Sequence, residues 1–256
     1  MPKVSINILT KNRPQALQKA LLSIDKQSFK DYEIILIDDG SVPPLTPPLI
    51  KGGAGGVKII NHKTSLGITL SRQEALQVSG GEYIAILDDD DEWIDIEKLK
   101  KQVEFLDNHS DYVLVGGGIQ IISNAELLIS KQIQNQKSTN IKFRPKEDDQ
   151  IRKTMLFRNN FFTSTVMFRR ETALQAGGFK SDGVDLAEDY DLWLRLGQLG
   201  KMYNFSEVFT NYTQNRYNKD KFRQFLKKQG LLIRKHCKQY PYFILSKLII
   251  SLRLLF

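Results

Sequence analysis

The densest group of ionisable side chains in the chain is a run of five acidic residues, 88–92 (DDDDE), directly after the apolar segment 82–87 (EYIAIL). Such a segment is typical of a buried strand in a parallel sheet. The carboxylates repel one another, and a divalent cation relieves that repulsion because hard cations take oxygen ligands. Mg²⁺ is usually held by one or two carboxylates together with substrate phosphates. The run therefore indicates a metal-held diphosphate; the alternative is that acids such as Asp91 or Glu92 only cap a following helix.

A second acidic pair, Asp38-Asp39, follows another apolar segment, residues 32–37 (YEIILI). In open α/β sheets, ligands bind outside the carboxyl ends of the strands. We therefore expect this pair and the run 88–92 to face the same crevice.

A third acidic pair, Glu188-Asp189, begins a predicted helix over residues 186–199, whose buried stripe is Leu192, Leu196 and Leu199. The helix dipole stabilises negative charge at this end. A carboxylate that faces the crevice there can act as general base toward a hydroxyl group. The alternative is a pair of ordinary first-turn acids with no catalytic role.

One arginine is a candidate partner for phosphate. Arg72 lies on a predicted helix over residues 67–78. If it points into the crevice, it can hold diphosphate oxygens by charge-assisted hydrogen bonds; a surface arginine is the alternative. The sequence contains no GxGxxG or GxxxxGK[ST] pattern and no serine nucleophile elbow, so it lacks the usual dinucleotide, P-loop and hydrolase signatures.

An alternating series of strands and helices must position these residues. Strand 3–10, a helix from Asn12-Arg13-Pro14 to about residue 27, and strand 32–37 form a predicted βαβ unit. Further strands are predicted at 57–60, 82–87, 112–115, 119–122, 161–169, 202–205 and 208–212, and helices at 67–78, 94–106, 171–176, 186–199, 219–238 and from Pro241. Residues 42–56, rich in Pro and Gly, and residues 130–150 are predicted loops. The pattern predicts an α/β fold: a mainly parallel twisted sheet with helices on both faces.

Composition narrows the class of protein. With 256 residues, of which 41% are hydrophobic, the chain has enough apolar surface to exclude wholesale disorder. One cysteine, Cys237, excludes an intramolecular disulfide and any zinc site that needs two thiolates. The first residues lack a signal-peptide pattern, and no run of about 18 apolar residues predicts a spanning helix. We therefore expect a reducing, cytoplasmic location.

The C-terminal region differs from the rest. Residues 214–256 contain 11 Lys and Arg against one acid, whereas residues 1–213 contain 26 basic against 28 acidic residues. We expect a catalytic domain over 1–213 and a basic, apolar helical tail over 214–256. In the segment 241–256 the polar residues Ser246, Lys247, Ser251 and Arg253 fall within about 160° of a helical wheel. This segment is either an interfacial helix on a membrane surface or a helix packed on the body. A nucleic-acid-binding surface is not expected, since such a surface would interleave basic and aromatic residues over a folded face.

Five segments, in order, resemble the family 2 glycosyltransferases, which have the GT-A fold. They span about residues 3–212, which is most of the chain. The segments are VSINILTKNRPQALQKALLSI (4–24), DYEIILIDDGS (31–41), SLGITLSRQEALQVSGGEYIAILDDDDEW (65–93), STVMFRRETALQAGGF (164–179) and LAEDYDLWLRLGQLG (186–200).

The resemblance implies a nucleotide-diphosphate-sugar donor, usually a UDP-sugar, and a divalent metal, Mn²⁺ or Mg²⁺. Asp189 matches the family's general base, Asp90 its metal ligand with Asp88 in support, and Asp39 the acid that contacts the nucleotide base. The residues that the resemblance assigns to the nucleotide-sugar are Thr10, Asn12, Arg13, Asp39, Arg72, Asp88 and Asp89. Many relatives carry an aromatic residue after the threonine of the first loop, where this chain has Lys11, so the stacking contact on the base is missing.

The function expected from these features is that of an inverting, metal-dependent glycosyltransferase in polysaccharide or glycolipid assembly, located in the cytoplasm or on the inner face of the membrane. Its acceptor, a glycan or lipid-linked sugar, is expected to contact residues 130–158 and the tail. A catalytically silent homologue that binds a nucleotide or glycan is the alternative. A nucleotidyltransferase is a third candidate, but residues 9–14 lack the Gly-rich, Lys-bearing phosphate loop that it needs.

Overall fold

The computed structural model of the chain describes residues 1–43, 53–122, 140–180, 186–213 and 219–255. Its strands are β1 (Val4–Thr10), β2 (Tyr32–Asp38), β3 (Val57–Asn61), β4 (Tyr83–Ile86), β5 (Glu92–Trp93), β6 (Tyr112–Ile122), β7 (Ile141–Lys142), β8 (Met167–Arg169) and β9 (Lys201–Thr213). Its helices are α1 (Pro14–Asp25), α2 (Ile68–Val78), α3 (Lys98–Asn108), α4 (Asp148–Thr154), α5 (Arg170–Gln175), α6 (Glu188–Leu196), α7 (Lys219–Lys235) and α8 (Phe243–Leu255), with a 3₁₀ turn at Thr163–Thr165.

The strands form one sheet in the order β3-β2-β1-β4-β8-β6-β9-β5, with β7 paired to β6. The first four strands are parallel, as predicted. Strand β8 is antiparallel to both β4 and β6, and β9 is parallel to β6 but antiparallel to β5. The described sheet is therefore mixed rather than mainly parallel. The sequence pattern missed this because buried strands are apolar in either direction.

Successive side chains of the parallel strands point to opposite faces of the sheet, and apolar side chains are buried on both faces. Helix α1 places Leu17, Leu21 and Ile24 on one face, each at most 1% exposed and each contributing about 1.5–3 kcal/mol by burial. Helix α3 packs in the same cluster. On the other face, Ala75 of α2 packs against Ile35 and the neighbouring β2 residues. Helices on both faces are thus confirmed.

Strand β6 runs straight through the three glycines 116–118, where two separate strands were predicted. A β-carbon at Gly117 would clash with the ring of Phe209, and one at Gly118 would clash with the ring of Phe143. The glycines therefore allow neighbouring aromatic rings to lie directly against the strand, instead of breaking it. Strand β9 is likewise one strand where two were predicted.

The region predicted as a loop over 130–150 contains regular structure where it is described. Strand β7 pairs with β6 through Gln120 and Ile141, and α4 begins at Asp148. Residues 130–139 and most of the Pro/Gly-rich segment, residues 44–52, lie outside the described residues. The predicted strand 161–169 is shorter, because its first half forms the 3₁₀ turn.

The tail packs its inner side on the body. Leu232, Ile233, Tyr240 and Ile250 are nearly fully buried in the same apolar cluster as α6. Within the described parts of the chain, none of the helices has the length and apolar character needed to span a bilayer.

Candidate active site

The carboxyl ends of β1, β2 and β4 meet at one edge of the sheet, because Thr10 lies opposite Asp38 and β4 continues beside β1. The chain turns sharply after β2 at Gly40, which has a φ of +79°. A side chain at Gly40 would lie 2.8 Å from the backbone nitrogen of Ser65, so glycine also permits this close approach. The predicted crevice is therefore formed by the edge where three parallel strands end.

The first loop and the acidic run contact each other directly. Thr10 Oγ1 donates to Asp89 at 2.7 Å, and Arg13 donates to Asp89 and Asp90, each at 3.0 Å. Asn12 has a left-handed φ of 57°, and its Oδ1 accepts a hydrogen bond from the backbone of Val42 at 2.8 Å. The three first-loop residues thus hold together the ends of β1, β2 and β4.

Arg72 is buried between two acids, which contradicts the surface-arginine alternative. It is 6% exposed, and its guanidinium lies 3.0 Å from Asp88 and 3.5 Å from Glu188. A third nitrogen, NH1, is buried without a hydrogen-bond partner among the described residues. That nitrogen is therefore a donor whose hydrogen-bonding capacity is unused within the described residues.

The acids around Arg72 resist ionisation. Burial, only partly offset by Arg72, raises the pKa of Asp88 to about 6, with Asp90 and Asp189 adding like-charge repulsion. Burial likewise raises the pKa of Glu188 to about 7 against the effect of Arg72. About a third of the Asp88 side chain (34%) faces the crevice, so this group remains accessible to a ligand. Near neutral pH these two carboxyl groups are therefore more readily protonated than ordinary acids.

Asp91 is buried and hydrogen-bonded within the fold, and it does not cap a helix. It is 2% exposed, and it accepts hydrogen bonds from Ser164 Oγ and from the backbone of Thr213 at 2.8 Å. Burial raises its pKa to about 8. Glu92 begins β5, and α3 starts only at Lys98, so neither acid caps a helix.

Asp38, the last residue of β2, is turned into the core, whereas Asp39 is turned toward a cavity. Asp38 is 1% exposed and accepts a hydrogen bond from the backbone of Ser41 at 3.0 Å. Asp39 lines a cavity of about 300 Å³ together with Thr10, Lys11 and further residues. The expectation that both acids face the crevice therefore holds for Asp39.

The carboxylate of Asp39 is held by the loop before α2. It accepts hydrogen bonds from Ser65 Oγ and from the backbone of Leu66 and Gly67, and it lies 2.8 Å from His62 Nδ1. Burial alone would raise the pKa of Asp39, but these hydrogen bonds hold it well below its usual range. Sequence reasoning missed His62, since an isolated histidine 23 residues further along carries no signal.

Asp189 lies in the first turn of α6 and lines the larger cavity. Thr163 Oγ1 donates to its Oδ2 at 2.6 Å, and Asn159 Nδ2 lies 3.4 Å from the same oxygen. The other oxygen accepts from the backbone of Tyr190. Thr163 and Asn159 carry no sequence signal of their own, because they lie about 30 residues away on the 3₁₀ turn and the segment before it.

Two adjoining cavities collect most of the predicted residues, although Asn12 and Asp90 line neither of them. The larger, about 480 Å³, is lined by Arg72, Asp88, Glu188 and Asp189 among others. The smaller is lined by Thr10, Lys11, Arg13, Asp39 and Asp89, and both touch Ile68. Residues that are far apart in the sequence are thus brought into one connected site.

A metal ion would find carboxylate oxygens but few protein ligands. Among the described residues, no group of three or more His, Cys, Asp or Glu is arranged to hold an ion together. Asp88 and Asp90 are each paired with an arginine, Arg72 and Arg13. The carboxylate oxygens of Asp88 and Asp90 nevertheless suit a hard cation that takes its remaining ligands from a substrate.

The known sequences that match this chain agree with one another on a single family. The family model described as "Glycosyl transferase family 2" matches residues 5–173. An uncharacterized glycosyltransferase of Haemophilus influenzae is 28% identical over 218 residues, which are 82% of this chain and 65% of that protein. The Escherichia coli protein WfgD, named as a UDP-Glc:alpha-D-GlcNAc-diphosphoundecaprenol beta-1,3-glucosyltransferase, is 28% identical over 137 residues, 53% of each chain. The chain thus spans about half to two thirds of the length of these relatives.

Comparison with solved structures gives the same fold. Staphylococcal TarS 1–349 (S. aureus), solved in complex with UDP-GlcNAc, has a TM-score of 0.65 at 17% identity over 99% of this chain and 71% of that one. The mannosyltransferase PcManGT from Pyrobaculum calidifontis, solved with GDP-Man and Mn²⁺, has a TM-score of 0.65 at 14% identity over 99% of this chain and 70% of that one. The predicted GT-A fold is confirmed.

Proposed function

Because the chain belongs to glycosyl transferase family 2, we propose that it is an inverting transferase that moves a sugar from a nucleotide-diphosphate donor to a hydroxyl of a glycan or lipid-linked acceptor. The observation that carries the proposal is the single cavity in which Asp189 faces Arg72 and Asp88. It offers a base for the acceptor and a cation for the leaving diphosphate within one space. The proposed catalytic domain is 1–213.

The smaller cavity is the proposed nucleoside site. Thr10, Arg13, Asp39 and Asp89 line it, with Asn12 supporting its rim. UDP is the proposed nucleotide, supported by the donor named for WfgD and by the UDP-GlcNAc complex of TarS. Lys11 lines the same cavity, so an ammonium group takes the place of an aromatic stacking partner.

The diphosphate is proposed to lie between the two cavities. Arg72 would donate its unpartnered NH1 to a diphosphate oxygen, a charge-assisted bond that is stronger than a neutral one. Asp90 and Asp88 would hold Mn²⁺ or Mg²⁺, in line with the Mn²⁺ that accompanies GDP-Man in PcManGT. When bound, such an ion stabilises the charge that develops on a leaving diphosphate.

Asp189 is the proposed general base. Its Oδ2 is held by Thr163, which orients the carboxylate toward the cavity. It would take the proton from the acceptor hydroxyl as that oxygen attacks the anomeric carbon from the side opposite the diphosphate. One displacement of this kind inverts the anomeric configuration. No second carboxylate is needed as an acid, because a charge-neutralised diphosphate leaves without protonation.

Calorimetric titration tests the donor and the metal together. UDP, GDP, CDP and dTDP would each be titrated with and without Mn²⁺ against the wild type, Asp90→Ala and the control Asp149→Ala, whose side chain is exposed on α4. We expect UDP to bind in a Mn²⁺-dependent manner and to lose at least tenfold in affinity only in Asp90→Ala, because a carboxylate ligand is removed.

Absence of binding by every nucleotide to folded wild-type protein would contradict the proposed donor site. The silent-homologue alternative makes a different prediction, which is nucleotide binding without consumption of any UDP-sugar in the presence of acceptor extracts.

The tail over 214–256 is the proposed membrane contact. Ile244, Leu248 and Leu252 of α8 are 74%, 57% and 56% exposed, and their spacing of four places them on one stripe. The buried residues Ser246 and Ile250 lie on the opposite side. An outward apolar stripe within a segment of strongly positive charge fits the interface of an anionic membrane, on the cytoplasmic face.

Flotation with vesicles of phosphatidylglycerol and phosphatidylcholine tests this contact. The triple variant Ile244→Ser, Leu248→Ser, Leu252→Ser should stay in the soluble fraction while the wild type floats, because each lost side chain removes apolar area from the interface. Leu22→Ser on α1, 51% exposed in the wild type, is the control for a generic loss of surface hydrophobicity. Equal flotation of the triple variant and the wild type would contradict the contact.

A further inference from the structure

The larger cavity has a cationic end that the proposed transfer does not use. This end is lined by Lys142 and Arg144, which belong to the segment that begins with β7, and by Phe162. Arg158 is close enough to Arg144 to repel it electrostatically. We infer that this cationic end, defined as Lys142, Arg144 and Arg158, binds a phosphate group carried by the acceptor.

Arg144 is the central residue of the cationic end because its charge is uncompensated. Its guanidinium stacks over the ring of Phe162, 4.6 Å from the centroid. Its Nε is buried without a hydrogen-bond partner among the described residues. A buried donor without a partner costs free energy, so a ligand that supplies an oxygen there gains affinity.

Two further observations indicate that an anion is the missing group. Burial, and next the neighbouring Arg158, lower the pKa of Arg144, and among the described residues no ion pair between Arg144 and a carboxylate is found. The guanidinium lies over the ring of Phe162, so one of its faces is covered by an apolar group. Two cations that line the cavity, with Arg158 beside Arg144, suit a phosphate or diphosphate better than the single charge of a carboxylate.

The position of the cationic end assigns the anion to the acceptor rather than to the donor. The donor's diphosphate is proposed to lie at Arg72 and Asp88, whereas Lys142 and Arg144 come from β7 and the segment after it. Asn159, the neighbour of Arg158, contacts Asp189. A phosphate at the cationic end would therefore lie on the side of the base from which the acceptor enters. This inference rests on the proposed function and adds the chemical class of the acceptor.

Calorimetry with small phosphates tests the inference on protein saturated with UDP and Mn²⁺. The ligands are inorganic pyrophosphate, geranyl diphosphate, geraniol and glucuronate, at 150 mM NaCl. The variants are Arg144→Gln and Lys142→Gln. The control is Lys153→Gln, which removes an equal charge from an exposed position on α4. UDP affinity is measured for each protein first, which also reports whether it is folded.

We expect the diphosphates to bind the wild type and Lys153→Gln equally, and to bind Arg144→Gln about 10- to 100-fold more weakly, because charge-assisted hydrogen bonds are lost. UDP affinity should change less than twofold. Geranyl diphosphate binding more tightly than pyrophosphate would identify a lipid-linked phosphate, and equal binding a phosphate on a soluble glycan. Tighter binding of glucuronate than of either diphosphate would overturn the phosphate assignment.

The inference and the proposed function fail in different ways. If UDP does not bind the wild type, the proposed function fails. If UDP binds but neither Arg144→Gln nor Lys142→Gln weakens diphosphate binding relative to Lys153→Gln, the cationic end is not an anion site. Should Arg144→Gln lose UDP binding through misfolding, Lys142→Gln and the charge-preserving Arg144→Lys decide the matter.

Discussion

Asp189→Asn is expected to lower the rate of sugar transfer by about 10²- to 10⁴-fold, the usual contribution of a positioned general base. Asparagine keeps the shape of the side chain and can still accept the hydrogen bond from Thr163, so the local structure should survive. It cannot take a proton from the acceptor hydroxyl. UDP affinity should change little, because Asp189 lines the larger cavity and not the proposed nucleoside cavity.

The measurement is release of UDP from a UDP-sugar in the presence of acceptor, with calorimetric UDP binding beside it. Thr163→Val is the informative companion, since it removes the group that orients Asp189 and should reduce the rate less than Asp189→Asn does. Asp149→Asn is the matched control, an exposed acid outside both cavities. Transfer by Asp189→Asn at a near-normal rate would refute the assignment of the base.

Asp191→Ala is expected to lower the free energy of unfolding by about 3–5 kcal/mol, the range for breaking a buried ion pair. Asp191 is fully buried on α6, and Arg195 contacts one of its oxygens through two nitrogens, each at 2.8 Å. Lys235 and His236, at the end of α7, lie 3.0 and 3.1 Å from the other oxygen. Removing the carboxylate leaves Arg195, Lys235 and His236 without their shared partner and loosens the tail from α6, the helix that carries Asp189.

Urea unfolding at pH 7 measures the loss, and Asp149→Ala, an exposed acid in an i,i+4 pair, should lose less than about 1 kcal/mol. Burial alone would raise the pKa of Asp191, but His236, Arg195 and Lys235 hold it well below its usual range. Its stabilising contribution is therefore present above about pH 4 and is lost as the pH falls through the lowered pKa. Acidification should thus destabilise the wild type more than Asp191→Ala. Equal stability of the two proteins at pH 7 would show that the cluster does not hold the tail.

Much of the parallel half of the fold was predictable from the sequence for a physical reason. Strands β1, β2 and β4 are buried on both faces, β2 ends at the acids Asp38-Asp39, and the acidic run begins two residues after β4. Neighbouring parallel strands must end at the same edge, so the acids had to meet. The same reasoning could not predict the direction of β8, because Met167 and Phe168 are apolar and buried whichever way the strand runs.

The hydrogen-bond partners of the predicted site residues could not be predicted from the sequence, because hydrogen bonds between distant segments depend on three-dimensional positions. Nothing near Asp189 in the chain indicates Thr163, and nothing near Asp39 indicates His62. The sequence likewise did not decide whether Arg72 is buried, since helical spacing alone also allowed a surface position. Its contact with Glu188, 116 residues away, is what places it inside.

The sequence by itself determined which chemical groups this protein has and on which elements they stand: acids at strand ends, an acidic pair at a helix start and a basic tail. Local patterns suffice for this, because periodicity and strand-end position follow from backbone geometry. Only the tertiary structure decided which groups meet. It turned Asp91 into the core and Asp39 toward the smaller cavity, left Arg144 Nε without a hydrogen-bond partner among the described residues, and packed one side of the tail on α6. Those outcomes depend on packing between segments far apart in the chain, where burial and charge balance are properties of the whole fold.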